Sequence, residues 1–136
     1  MKPKLRVWVL FGGALKFGSG RAQLLEAIQA RGSLRQAAKL LGMSYRNAWG
    51  YLRQLETAAG FAFVERAPGG RPRDGLRLTP KGREFLARYL RFQKSLDAAS
   101  ARRFARFFGK GAPGRRARRR PARPASPRSP ARSAPG

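Results

Sequence analysis

The chain has 136 residues, with 31 Lys and Arg against 6 Asp and Glu and a formal net charge of +25, which points to an anionic partner and first to nucleic acid. Cysteine and histidine are absent, which excludes a disulfide framework, a thiol nucleophile and a zinc site of the usual ligands. No apolar run approaches the roughly 20 residues that span a bilayer, so a cytoplasmic, nucleoid-associated protein is expected.

The charge has two origins. Up to Ser100 there are 19 basic and 6 acidic residues, set among periodic Leu, Val, Phe and Trp. Beyond it there are 12 basic residues and no acidic one. The first part can build a core and the second cannot.

Taken in chain order, Leu5–Phe11 is β-branched and aromatic, and alternation places Leu5, Val7, Val9 and Phe11 on one face of a strand. Gly12-Gly13 ends it, and Ser19 is positioned to cap a helix. That first helix covers Arg21–Arg31, with Leu24, Leu25, Ala27 and Ile28 inward and Gly32 as a left-handed stop. Ser33-Leu34-Arg35-Gln36 is a capping box for a short second helix, with Leu34, Ala37, Ala38 and Leu41 inward and Gly42 beyond. Ser44 caps a third helix, Tyr45 to about Ala59. Its buried stripe is Ala48, Leu52, Leu55 and Ala59, and Gly60 closes it. Phe61–Arg66 and Leu76–Leu78 flank a Gly/Pro-rich loop and read as a hairpin with a basic tip. Thr79-Pro80 opens a long helix reaching about Phe108, since Thr is a good cap and Pro loses no hydrogen bond at the first helical position.

Strand, three helices, hairpin and helix make a mostly α fold with a small β wing, a winged helix-turn-helix of the α+β class. Residues 1–108 are expected to form that domain with its long C-terminal helix. Residues 109–136, rich in Arg and Pro, read as a disordered basic tail. The helix pair Ser33–Leu41 and Ser44–Ala59 is joined by a short turn containing Gly42. The major groove admits one α-helix, and the first residues of that helix reach base edges. Here those are Ser44, Tyr45, Arg46 and Asn47, with Arg53 two turns on. The amino ends at Ser33 and Ser44 offer amides to phosphates. Arg66, Arg71, Arg73 and Arg77 furnish the wing.

Four stretches carry a resemblance. They are Gly32-Ser33-Leu34-Arg35-Gln36-Ala37-Ala38, Gly42-Met43-Ser44-Tyr45-Arg46-Asn47-Ala48-Trp49, Val64-Glu65-Arg66-Ala67-Pro68-Gly69-Gly70 and Leu78-Thr79-Pro80-Lys81-Gly82. In order and spacing, Leu5 to about Asp97 resembles the N-terminal DNA-binding domain of the molybdate-responsive (ModE-type) regulators, relatives of LysR-type domains. The resemblance implies sequence-specific binding of double-stranded DNA, transcription regulation and a homodimer. It puts DNA reading at Ser44, Tyr45, Arg46 and Arg53, with Arg71 and Arg73 in the wing. It adds a dimer contribution from the first helix around Leu24 and Ile28. Members of that family continue into a molybdate-binding domain. Here a basic tail takes its place, so no molybdate bound by this chain, and no cofactor, is expected.

In the long helix Phe85, Tyr89, Phe92, Leu96 and Ala99 recur at spacings of four and three, a heptad seam. Tyr89, Phe92 and Leu96 are therefore expected at the dimer interface, with pairing ending before Phe104. Rival readings are an architectural, non-specific DNA binder dominated by the tail, and RNA binding by the Arg-rich tail. An enzyme is disfavoured, because Glu26, Glu56, Glu65, Asp74, Glu84 and Asp97 are scattered over several elements and lack His or Cys partners.

Overall fold

The computed structural model describes residues 1–68 and 75–109. Four short strands and four helices occur in the order β1 (Val9–Phe11), β2 (Leu15–Phe17), α1 (Ser19–Arg31), α2 (Leu34–Leu40), α3 (Tyr45–Ala59), β3 (Val64–Arg66), β4 (Leu76–Leu78) and α4 (Pro80–Phe108). The stretch expected as one domain divides into two compact units. One is Arg6–Ser95. The other joins Met1–Leu5 to residues 96–109.

The expected single strand is instead half of a hairpin. β1 pairs antiparallel with β2, Val9 opposite Phe17 and Phe11 opposite Leu15. Gly12 (φ 60°) and Gly13 (φ 80°) make the turn, a backbone that residues with a Cβ seldom adopt. The ladder stops at Val9 because β2 is only three residues long before the chain becomes helical, so Leu5–Trp8 have no partner strand. Val7, Val9 and Phe11 do turn inward, while Leu5 is exposed. Gly18, not Ser19, occupies the N-cap of α1, in extended backbone and without a side-chain bond.

The other helix ends obey local chemistry. Gly32 (φ 70°) closes α1 by donating its N–H to Ile28, and Gly60 closes α3 in the same left-handed way. Ser44 Oγ accepts from the Asn47 amide at 3.0 Å, fixing the first turn of α3. α2 ends one residue early, with Leu41 as a half-buried cap.

The core of Arg6–Ser95 is filled by Leu24, Leu25 and Ile28 of α1, Leu34, Ala37 and Ala38 of α2, Ala48, Leu52 and Leu55 of α3, and Leu78 of β4. An aromatic group adds to it. Phe85 meets Phe17 edge-on at 4.8 Å and Phe63 at 5.6 Å, and Phe17 meets Tyr89 at 5.0 Å. The Tyr89 hydroxyl donates to the Val7 carbonyl at 2.9 Å, and burial pushes its pKa up, so the phenol stays protonated.

This core corrects the expected dimer surface. Leu24 (1 % exposed), Ile28 (0 %) and Tyr89 (3 %) spend their side chains inside the protomer and leave no surface for a second chain. Phe85 is likewise consumed by the aromatic group. The helical seam becomes exposed only at Phe92, 48 % accessible.

Ala62–Val64, the entry to the wing, is held from two sides. Glu56 of α3 accepts from the Phe63 and Val64 amides at 2.7 and 3.2 Å. Thr79 donates its hydroxyl to the Ala62 carbonyl and its N–H to the Phe63 carbonyl, and its Oγ1 accepts from Gly82. β3 then pairs with β4, Val64 opposite Leu78, and Leu76 N–H reaches the Gly32 carbonyl at 2.9 Å. The base of the wing is thus attached to α3, to the start of α4 and to the turn before α2. No helix among the described residues is long and apolar enough to cross a membrane.

Candidate nucleic-acid interface

A helix that reads DNA must expose its first turn, and α3 does. Ser44, Arg46 and Asn47 are exposed there, Arg53 is exposed two turns later, and Tyr45 is half-buried. Neither α2 nor α3 has an acidic residue in its first turn, so nothing opposes the positive end of the helix dipole. Glu56 is the one carboxylate in these two helices, and it is committed to the amides of Phe63 and Val64. The remaining charges of the pair are Arg35, Lys39, Arg46 and Arg53, all exposed.

Ser33 is a correction. It is 2 % exposed, its Oγ accepts from the Gln36 amide at 3.2 Å, and its backbone bridges to Gly75. The base of the wing covers it, so its side chain caps α2 and does not meet a phosphate. Arg77 is also otherwise engaged: its Nε lies 2.8 Å from Glu65, the residue opposite it in the strand register. Arg66 is exposed at the end of β3. Arg71 and Arg73, together with the expected tail, lie outside the described residues.

In the sequence Arg35 stands only as part of the α2 capping box. In the fold its guanidinium carbon sits 4.3 Å over the Tyr45 ring. Tyr45 meets Trp49 edge-on at 6.3 Å, and Arg53 lies 5.8 Å over the Trp49 ring. The approach of Arg35 from α2 is a tertiary contact that has no signal in the sequence. Arg21 plays a different part. It bonds the Lys16 carbonyl at 3.0 Å and Gln54 at 2.9 Å and lies over Tyr51, linking α1 to α3. Burial lowers its pKa, with Tyr51 acting in the opposite sense.

Comparison with known proteins agrees with this geometry. Residues 20–83 match the model of the bacterial regulatory helix-turn-helix proteins of the LysR family. The chain is 38% identical over 86 residues to the molybdenum transport protein ModE of Azotobacter vinelandii, covering 60% of this chain and 32% of that protein. It is 41% identical over 69 residues to the transcriptional regulator ModE of Yersinia pestis, covering 51% and 26%. The chain thus matches about a third or less of the length of these relatives. Its fold is similar to the CbnR DNA-binding domain solved with DNA (TM-score 0.51, 24% identity, 65% of this chain and 95% of that one). It is similar also to the BenM DNA-binding domain solved on benA site 1 (TM-score 0.50, 20% identity, 67% and 96%). Residues 20–83 are thus similar to the helix-turn-helix of the bacterial regulatory proteins of the LysR family.

Proposed function

We propose that this chain binds double-stranded DNA sequence-specifically and regulates transcription, with the first turn of α3 in the major groove and the wing along the backbone. The observation that carries the reading is the exposed, acid-free amino end of α3, where Arg46 and Asn47 project beside the Ser44 cap. Arg can bond guanine O6 and N7 together, and Asn can do the same for adenine. The experiment is selection of bound duplexes from a random pool with the full chain. Arg46→Ala is then expected to cost about 1–3 kcal/mol on the selected duplex and to relax preference at one position. Equal loss on selected and random duplexes would remove Arg46 from base reading. No enrichment at all would favour an architectural binder.

The functional unit is a homodimer. Leaving an aromatic such as Phe92 half in water is unfavourable when it continues an apolar stripe. In the second unit Pro3, Leu5, Leu96, Phe104 and Phe107 line a separate apolar groove. A second copy would cover both, so pairing would run past Phe104, further along α4 than the heptad seam predicts. Sedimentation equilibrium at micromolar concentration should return a dimer for the wild type and a monomer for Phe92→Glu combined with Leu96→Glu. A monomeric wild type, with and without DNA, refutes the dimer.

A further inference from the structure

Between the turn of the β1–β2 hairpin and the second half of α3 lies an open groove of about 490 Å³. Phe11, Ala14 and Leu15 form its apolar wall, and Arg53, Gln54 and Thr57 form the other. All three polar residues are exposed, and their chemistry has one sense. Arg53 lies over Trp49 and makes no hydrogen bond or ion pair among the described residues. Gln54 would ordinarily both donate and accept, but its Oε1 accepts from Arg21 Nη2 at 2.9 Å. Arginine can only donate, so the orientation of the amide is settled, and the Nε2 donors are what remains for a ligand. Arg21 is itself held by the Lys16 carbonyl and by Tyr51. Among the described residues no carboxylate lines the groove.

We propose that this groove seats the sugar–phosphate backbone of one DNA strand, with Arg53, Gln54 and Thr57 donating to phosphate oxygens and the hairpin wall packing on deoxyribose. This rests on the reading of α3 as the DNA-facing helix, and it names what the second half of that helix meets. Position along the helix decides between base and backbone. At ~1.5 Å of rise per residue, Gln54 stands ~12 Å beyond Arg46 and Thr57 ~16 Å beyond it. The major groove is only ~12 Å wide. With the first turn of α3 among the bases, its third and fourth turns therefore stand at the groove wall, where the phosphates run. A phosphodiester offers acceptors only, which matches a wall that offers donors only. Arg53, expected from the sequence to read a base, becomes a backbone contact, and Gln54 and Thr57 join the interface.

The first arm of the test uses the full chain on a random duplex, so it does not depend on base reading. Arg53→Gln should flatten the slope of log affinity against log salt by ~0.9, the value for one phosphate contact. Gln54→Leu combined with Thr57→Val should weaken binding about tenfold, by the same factor on random and selected duplexes. Thermal melts monitored by circular dichroism identify variants that merely unfold. Gln54→Glu keeps a partner for Arg21 but turns donors into a carboxylate, so it should bind more weakly than Gln54→Leu. The deciding measurement replaces each phosphate of the selected duplex in turn by a neutral methylphosphonate. One position, or two adjacent ones, should cost the wild type about tenfold and cost the Gln54→Leu, Thr57→Val variant almost nothing further. Losses that add at every phosphate would overturn the proposal. So would losses confined to the selected duplex, which would make these residues base readers. If selection enriches no duplex, the base-reading assignment of Arg46 has failed. The random-duplex arm then still decides the groove, and an unchanged slope and affinity there would refute it.

Discussion

A chain ending at Gly111 should bind every duplex more weakly than the full chain and lose most of its sensitivity to salt. Residues 112–136 contain eight arginines and no acidic residue. Each cation that neutralises a phosphate releases condensed counterion, and the slope of log affinity against log salt steepens by ~0.9 per contact. Engagement of all eight would therefore steepen the slope by ~7, and engagement of half by about 4. Proteins making six to ten such contacts lose roughly 10³–10⁵ in affinity between 50 and 200 mM salt, so the difference between the two chains is large and easily read. Phosphate contacts do not carry base information. The ratio of affinities for selected and random duplexes should accordingly survive truncation, while both affinities fall. An unchanged slope would show that the tail does not engage DNA. A ratio near one in the full chain that rises on truncation would show that the tail masks the specificity of α3.

The parts of the fold legible in the sequence are those decided within one helical turn. Gly32, Ser44, Gly60 and Thr79-Pro80 announce helix ends through groups three or four residues away, and each stands where expected. The illegible parts depend on distant partners. β2 is three residues long, too short to show a period, and is defined by pairing with β1. Ser33 looks like an exposed cap until Gly75, far along the chain, covers it. Tyr89 fits a heptad seam, but Phe17 and Val7 claim it from the other end of the domain. Site residues behave alike. Arg46 and Asn47 are placed by the Ser44 cap just before them, whereas Arg35 enters only through a tertiary contact with Tyr45.

Gly82→Ala is expected to be the most damaging single-methyl change in the domain. Gly82 lies in the first turn of α4, and an added Cβ would stand 2.5 Å from the Phe63 carbonyl oxygen and 3.1 Å from its Cα. Both are backbone atoms, so no side chain can swing aside. That same carbonyl accepts the Thr79 N–H, and the Phe63 amide is held by Glu56, so moving it strains bonds on both sides. Replacing glycine by alanine inside a helix ordinarily gains about 0.5–1 kcal/mol. Forcing a methylene into a packed site costs about 1–3 kcal/mol, and an unyielding backbone places this case at or beyond the upper end. The net loss should be about 2 kcal/mol, or roughly 8–16 °C in melting temperature for a domain of this size. Gly50 is the matched control. It lies within α3 with nothing within 4 Å of its added Cβ, so Gly50→Ala should raise the melting temperature. The consequence for DNA is specific as well. Ala62–Val64 joins α3 to the wing, so pushing α4 away from Phe63 should shift the wing while leaving the Ser44 cap of α3 intact. Below its melting temperature, Gly82→Ala should lose affinity on selected and random duplexes alike, unlike Arg46→Ala. A Gly82→Ala protein as stable as the wild type would mean that the approach of α4 to Phe63 is looser than 2.5 Å implies.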